Sequence, residues 1–160
     1  MEDLILPREP LIRIGTCLER LLPRSRALYV LLADITGQLI SEKGSKEGFD
    51  PVTLAALAAS NMAATTEMAR QIGEPASFPY LFHEGQRRHT YISAVGRTFL
   101  LVIIFDDMTQ IGLVRIFAKQ TVGELVLIAS ELEPWLERAP AEVDREFGDA
   151  LAAGLDKAFI

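Results

Sequence analysis

Two histidines and a neighbouring glutamate are the first residues of this chain that suggest chemistry. His83 and His89 lie on either side of a predicted turn, and Glu84 follows the first of them. Imidazole and carboxylate groups are common zinc ligands, so two histidines facing each other across a hairpin would form a metal site. Their spacing matches no standard zinc pattern, and we therefore expect both histidines on the hairpin surface and predict no metal.

One thiol and one carboxylate pair are the other candidates. Cys17 lies among apolar residues of a predicted helix, where a buried cysteine is usually inert. Asp106 and Asp107 end a predicted strand, and paired carboxylates can serve as acid and base when burial separates their pKa values. Because a turn and a helix start follow them, we interpret both as capping or solvated residues.

Motifs for nucleotide binding and acyl chemistry are absent from the sequence. It has no Gly-x-x-x-x-Gly-Lys-Ser/Thr, no Gly-x-Gly-x-x-Gly and no Gly-x-Ser-x-Gly. We predict no catalytic residues and no cofactor, and a chain that acts by binding other proteins.

The composition is typical of a folded binding protein. Hydrophobic residues make up 49% of the 160, and the mean hydropathy of +0.22 predicts that a partner covers some apolar surface. The net charge of −6 argues against a nucleic-acid partner, and the basic cluster Arg87-Arg88-His89 is expected at a solvated hairpin tip. One cysteine, no secretory signal and no apolar run long enough for a bilayer predict a cytoplasmic protein without a membrane partner.

The elements that position these residues form an α/β (α+β) domain over 1–139. Hydrophobic periodicity predicts the order α-β-β-α-β-β-β-α, a five-stranded antiparallel sheet with helices on both faces. Pro23 and Pro134 are expected to end the first and last helices. The predicted helices cover 10–22, 50–72 and a segment from 111, and the predicted strands cover 27–34, 38–41, 77–83, 89–95 and 98–105.

The second helix has one side without charge or bulk. The bulky side comprises Leu54, Leu57, Met68 and Ile72, with Asn61 in its middle, and we expect this side to face the sheet. Small residues on the other side allow another backbone to approach closely, which predicts a partner surface or a two-fold dimer contact. Alternatively, the alanines serve helix propensity alone. The predicted binding residues are Ala56, Ala59, Ser60, Ala63, Ala64 and Glu67.

The tail over 140–160 is predicted to be an amphipathic helix. From Ala141 onward it has five acidic and two basic residues, a net charge of −3. It either packs on its own domain or dimer mate, or binds a partner that offers a basic patch. Its apolar face comprises Val143, Phe147, Leu151, Leu155 and Phe159.

The order of elements over 11–132 resembles the Roadblock/LC7 domain family. The segments that carry the resemblance are 31–37 (LLADITG), 54–61 (LAALAASN), 63–65 (AAT), 99–107 (FLLVIIFDD) and 112–115 (GLVR). Within the family, the chain is most similar to bacterial regulators of cell polarity and gliding motility. The segments that indicate this are 83–85 (HEG), the Phe-Asp-Asp end of the last strand and 155–159 (LDKAF).

This resemblance implies a homodimer in which the second helices pair and the sheets join edge to edge. It implies that the dimer binds one small Ras-like GTPase in its GTP form and stimulates hydrolysis without donating an arginine finger. The dimer would instead stabilise the GTPase conformation that brings its own arginine and glutamine to the nucleotide. Some members also use a C-terminal helix that contacts a second place on the GTPase and affects nucleotide exchange.

Two alternatives stay open at this point. Roadblock domains also serve as non-catalytic scaffold or tethering subunits. A small-molecule sensor would need polar groups that converge on a pocket between helix and sheet, for which the candidates are Asn61, Tyr29 and Tyr91.

Overall fold

A computed structural model describes residues 6–136 and arranges them as three helices around one sheet. The five strands are antiparallel and lie in the order β2-β1-β5-β4-β3, which confirms the predicted α-β-β-α-β-β-β-α topology. The helices are α1 (Arg8–Arg24), α2 (Pro51–Gln71) and α3 (Ile111–Leu136), and the strands are β1 (Tyr29–Asp34), β2 (Leu39–Gly44), β3 (Tyr80–Glu84), β4 (Arg88–Val95) and β5 (Phe99–Asp106).

The sheet separates two hydrophobic cores. Strand β5 lies at its centre and is buried from Phe99 to Phe105, because helices cover both of its faces. Its odd-numbered side chains in that range pack beneath α1 and α3, and its even-numbered side chains pack beneath α2. The sheet therefore places α2 on the face opposite the other two helices.

Two prolines lie inside helices that they were expected to end. Pro23 lies in the last turn of α1, and Pro134 lies two residues before the end of α3 as described. A proline lacks one backbone donor and crowds the preceding turn. The helix loses a hydrogen bond at that position, but in both cases it continues for a short distance.

The strand limits also differ from the prediction at the two edges of the sheet. Strand β2 continues to Gly44, because Glu42 and Lys43 pair with β1 instead of forming a loop. Strand β3 begins at Tyr80, three residues later than expected, since Pro79 has no N–H to donate to a neighbouring strand.

Helix α2 begins and ends where the sequence predicts. The Asp50 carboxylate accepts a hydrogen bond from the Thr53 N–H at 3.1 Å, and Pro51 is the first helical residue. Gly73 follows the helix with a φ of +80°, the left-handed conformation that glycine adopts most readily. Within residues 6–136, no helix is both long and apolar enough to cross a membrane.

Candidate protein-binding surface

Helix α2 packs on the sheet mainly through small residues. The expectation that its bulky side faces the sheet is wrong for Leu57, Met68 and Ile72, whereas Leu54 is partly buried against the core. The buried residues are Ala55, Ala58, Ala59, Met62, Thr65 and Ala69. Four of these six side chains are alanine, so the helix backbone can lie close to the sheet. The β1–β2 turn also approaches α2 closely, since a Cβ added to Gly37 would lie 2.8 Å from the Ala56 Cα.

Large apolar side chains of α2 consequently project into solvent. Leu57 is 56% exposed and Met68 is 62% exposed, and Ile72, at the C-terminal cap, is 69% exposed. Asn61 lies between them on the same exposed side. Together with the exposed Ala64, these residues are spaced by three or four positions, so they form one continuous row along the helix.

The predicted binding residues fall mainly on this exposed side. Ala56, Ser60, Ala63, Ala64 and Glu67 are exposed, whereas Ala59 is buried against the sheet. We call the exposed surface the α2 outer face and define it by eight residues: Ala56, Leu57, Ser60, Asn61, Ala63, Ala64, Glu67 and Met68.

Polar side chains on the α2 outer face bond to the helix itself. The Ser60 hydroxyl donates to the Ala56 carbonyl at 3.0 Å, and the Asn61 amide donates to the Leu57 carbonyl at 3.1 Å. Such bonds to the preceding turn engage donors that would otherwise be offered to solvent or a partner. The surface over the first turns of α2 is therefore largely apolar.

Charge is confined to the last two turns of α2. Glu67 and Arg70 are its only charged residues, and the Arg70 guanidinium lies 2.6 Å from the Glu67 carboxylate. The hydrogen bond from Arg70 lowers the pKa of Glu67, with a further contribution from Gln71. An exposed pair of this kind adds little stability, but it engages the single arginine of α2.

An open sheet edge follows α2 in the chain. Strand β3 pairs with β4 alone within residues 6–136, so its outer backbone groups have no strand partner there. Thr66 and Ser77 are joined by a hydrogen bond of 3.0 Å between their hydroxyls, which ties the end of α2 to the segment before β3. An unpaired edge is a site where another strand can add.

The two histidines do not form a common site. His83 bonds to the Thr90 hydroxyl on one face of the sheet, and His89 packs on the opposite face between aromatic rings. His89 is 6% exposed, so the expectation of a surface histidine is wrong for this residue. No group of three or more potential metal ligands occurs in the part of the chain that the structure describes.

The thiol and the carboxylate pair have structural surroundings. Cys17 is buried, and its thiol donates to the Glu124 carboxylate at 3.3 Å. Burial raises the pKa of the Cys17 thiol, and the bond to Glu124 raises it further. The Asp106 carboxylate accepts a hydrogen bond from the Met108 N–H, and the Asp107 carboxylate contacts the His89 ring. Both residues therefore belong to the turn that follows β5.

The candidate polar groups of a sensor pocket do not converge. Tyr29 is buried in the core beneath α2 and bonds to Glu42, whereas Tyr91 lies in the other core and stacks on Tyr80. Asn61 is exposed on the α2 outer face instead of buried. These three side chains therefore do not share a cavity.

Two further sets of residues bear on the predicted site. The tail residues Val143, Phe147, Leu151, Leu155 and Phe159 lie outside the described residues. The exposed row at Leu57, Met68 and Ile72 is not predicted by the sequence pattern, because bulky apolar residues usually indicate the buried side of a helix. The signal that would have found it is the three- and four-residue spacing of the alanines, which equally marks a buried stripe.

Comparisons with known proteins agree with the fold. The chain is similar to MglB from Myxococcus xanthus, at 39% identity and a TM-score of 0.75, over 80% of this chain and 96% of that one. It is similar to the gliding protein MglB from Thermus thermophilus, at 34% identity and a TM-score of 0.73, over 82% and 98%. An MglB structure described as having a tetrameric arrangement gives the same identity, TM-score and coverage as the Thermus protein. A search of curated proteins gave no match.

A family model covers more than half of the chain. The Roadblock/LC7 domain matches residues 14–105, from α1 through the end of β5. The order of elements, the sheet and this match agree, and the chain belongs to the Roadblock/LC7 family.

Proposed function

We propose that this chain is a homodimeric regulator of a small Ras-like GTPase of the MglA type, in cell polarity or motility. It binds the GTP form of that GTPase and stimulates hydrolysis. The observation that carries the proposal is the α2 outer face, where the apolar side chains of Leu57 and Met68 are solvent-exposed among small residues in a single chain. Contiguous apolar surface of this kind usually marks a protein-binding site.

Self-association is the first part of the proposal. A two-fold dimer uses the same surface on both subunits, and α2 offers small residues that permit close helix contact beside larger ones that fill gaps. The open edge of β3 offers a second element that two copies can share. The related MglB described with a tetrameric arrangement is a precedent for self-association in this fold.

Stimulation of hydrolysis without a catalytic residue is the second part. Arg70 is the only arginine of α2 and is engaged by Glu67. We infer that the dimer accelerates hydrolysis by binding one GTPase conformation more tightly than others, in which the GTPase's own arginine and glutamine reach the nucleotide. A partner shifts such an equilibrium only through its differential affinity for the two conformations.

A single-turnover assay tests this mechanism. A purified MglA-type GTPase loaded with GTP is mixed with the wild-type chain or with Arg70→Ala, and phosphate release is followed. We expect the wild-type chain to accelerate release, and Arg70→Ala to keep most of that acceleration. Loss of an inserted arginine finger costs about 10³- to 10⁵-fold in rate, so a loss of that size in the variant would show that this chain donates catalytic chemistry.

The same assay separates the regulator from a scaffold. A scaffold binds the GTPase, or another protein, without changing the rate of phosphate release. Binding is measured in parallel with the GTPase held in its GDP form and in the form bound to a non-hydrolysable GTP analogue. Equal affinity for both forms with no change in rate would favour the scaffold.

The C-terminal tail is the third part of the proposal. We propose that its apolar face contacts a second place on the GTPase and affects nucleotide exchange, through Val143, Phe147, Leu151, Leu155 and Phe159. Replacing both Phe147 and Leu151 by alanine should weaken GTPase binding and leave self-association unchanged. Weakened self-association with unchanged GTPase binding would instead place the tail on the dimer.

A further inference from the structure

The imidazole of His89 is enclosed at the end of the β3–β4 hairpin. Its ring centroid lies 5.2 Å from that of Phe105 and 6.1 Å from that of Phe82. The residue is 6% exposed, although histidines near turns are commonly solvated. A buried imidazole requires a partner for each ring nitrogen.

Both ring nitrogens of His89 have such partners, and together they specify its protonation. The Gly85 backbone N–H donates to Nδ1 at 3.1 Å, so Nδ1 must offer a lone pair. The Nε2 atom lies 2.8 Å from the Asp107 carboxylate, which accepts only, so Nε2 must carry the proton. This geometry fits the neutral imidazole with its proton on Nε2.

Gly85 is fixed in this position by sterics as well. A Cβ at residue 85 would lie 2.3 Å from the Arg88 carbonyl oxygen, closer than side-chain carbons approach backbone oxygens. The turn therefore closes tightly on itself, and the Gly85 N–H points at the His89 ring. The ring acts as the acceptor that the closed turn needs.

We propose that His89 is a pH-sensitive latch that closes the β3–β4 turn and holds the end of the open sheet edge. Histidine is the side chain that ordinarily changes charge between pH 5 and 8. When Nδ1 takes up a proton, two N–H donors face each other and the bond from Gly85 is lost. The turn then opens, and the end of β3 is released from its fixed position. This device goes beyond the proposed function and does not depend on it.

The charged groups around His89 determine what protonation does. Asp107 binds Nε2, and Glu84 lies opposite His89 in the register of β3 and β4. On α3, the Arg115 guanidinium lies over the Tyr80 ring, 4.9 Å from its centroid.

The basic residues of the turn point elsewhere. Arg88 donates to the Glu47 carbonyl, and Arg87 is exposed. The charged groups that face the ring are thus carboxylates, and the contact between Nε2 and Asp107 can persist when the ring carries a charge. We therefore expect a local opening of the turn at Gly85 and not a release of the whole hairpin.

Two substitutions at position 89 separate the roles of the two nitrogens. In His89→Asn the amide oxygen can replace Nδ1 as the acceptor for Gly85 but cannot titrate. In His89→Gln the longer amide can replace Nε2 toward Asp107, and the Gly85 acceptor is lost. His83→Asn is the matched control, because His83 lies on the opposite face and bonds to Thr90.

The test is NMR on the full chain between pH 8 and pH 5. Long-range ¹⁵N spectra report the tautomer of His89, and solvent exchange of the Gly85 amide, corrected for its intrinsic pH dependence, reports the latch. We expect the Nε2–H tautomer at pH 8. As His89 titrates, we expect a loss of Gly85 protection of about three- to tenfold, the range for one net hydrogen bond.

The variants give each outcome a meaning. His89→Asn should keep Gly85 protected at every pH, His89→Gln should leave it unprotected at every pH, and His83→Asn should behave as the wild type. The proposal is overturned if His89 carries its proton on Nδ1 at pH 8. It is also overturned if Gly85 protection is constant while His89 titrates, or if His89→Asn loses protection as the wild type does.

Discussion

Leu57 is the residue whose removal probes the α2 outer face most cleanly. Its side chain is 56% exposed in the single chain, so its truncation to alanine leaves the domain core intact. Alanine also keeps the helix propensity of this segment high. An effect of Leu57→Ala on association would therefore reflect the surface and not the fold.

The size of that effect can be worked out from the exposed fraction. Burying a whole leucine side chain contributes about 1.5–3 kcal/mol, so burying the exposed part contributes about 1–2 kcal/mol. In a two-fold contact the side chain is lost from both subunits, a loss of about 2–4 kcal/mol in the free energy of association. That corresponds to a dimer dissociation constant higher by about 30- to 700-fold.

Sedimentation equilibrium over a range of protein concentrations measures the constant. The matched control is Ile116→Ala, since Ile116 is 57% exposed but lies on α3, across the sheet. At protein concentrations low enough for the chain to be monomeric, both variants should unfold within about 0.5 kcal/mol of the wild type in urea. The reasoning fails if Leu57→Ala associates as the wild type does, or if Ile116→Ala weakens association equally.

Three further predictions concern the domain itself. Ala58→Leu should lower the free energy of unfolding by about 1–3 kcal/mol, because Ala58 is 2% exposed against the sheet. In the same urea titration of the monomeric chain, Ala64→Leu on the exposed side should change it by no more than about 0.5 kcal/mol. Asp50→Ala should cost about 1 kcal/mol by removing the N-cap of α2, and unchanged thermal unfolding would contradict that role. Burial raises the pKa of Cys17, so at pH 8 iodoacetamide should alkylate the folded chain more slowly than the chain unfolded in urea. The rate for the folded chain should increase as the pH rises. Equal rates in both states would show an accessible thiol.

Much of the fold could be predicted from local signals in the sequence. The Asp50-Pro51 start and the Gly73 stop of α2 are decided by residues next to them, through capping and backbone conformation. The doubly buried character of β5 follows from its uninterrupted apolar run. Such features depend on a few neighbouring residues and therefore survive the step from sequence to structure.

The orientation of α2 could not be predicted in the same way. A helical wheel assigns bulk to the core, but the distance between a helix and a sheet is a property of the whole domain. Here the side of α2 with Ala55, Ala58 and Ala69 faces the sheet. The position of the candidate surface on α2 was predicted, but its apolar row at Leu57 and Met68 was assigned to the core.

The burial of His89 could not be predicted, for a related reason. Next to two arginines in a turn, it has the sequence context of a solvated residue. Its burial is created by Phe105 from a strand that is distant in sequence, and by Asp107 beyond the end of that strand. Long-range pairing thus determines the surroundings of a residue whose local context indicates exposure.

We propose that the dimer formed through the α2 outer face regulates a GTPase. The most direct test of this proposal is the rate of GTP hydrolysis by an MglA-type GTPase, measured at increasing concentrations of this chain and of Leu57→Ala. The account predicts a saturable acceleration by the wild-type chain, and for Leu57→Ala a curve shifted to higher concentration. A rate that stays constant at every concentration, together with no binding to the GTP form, would contradict it.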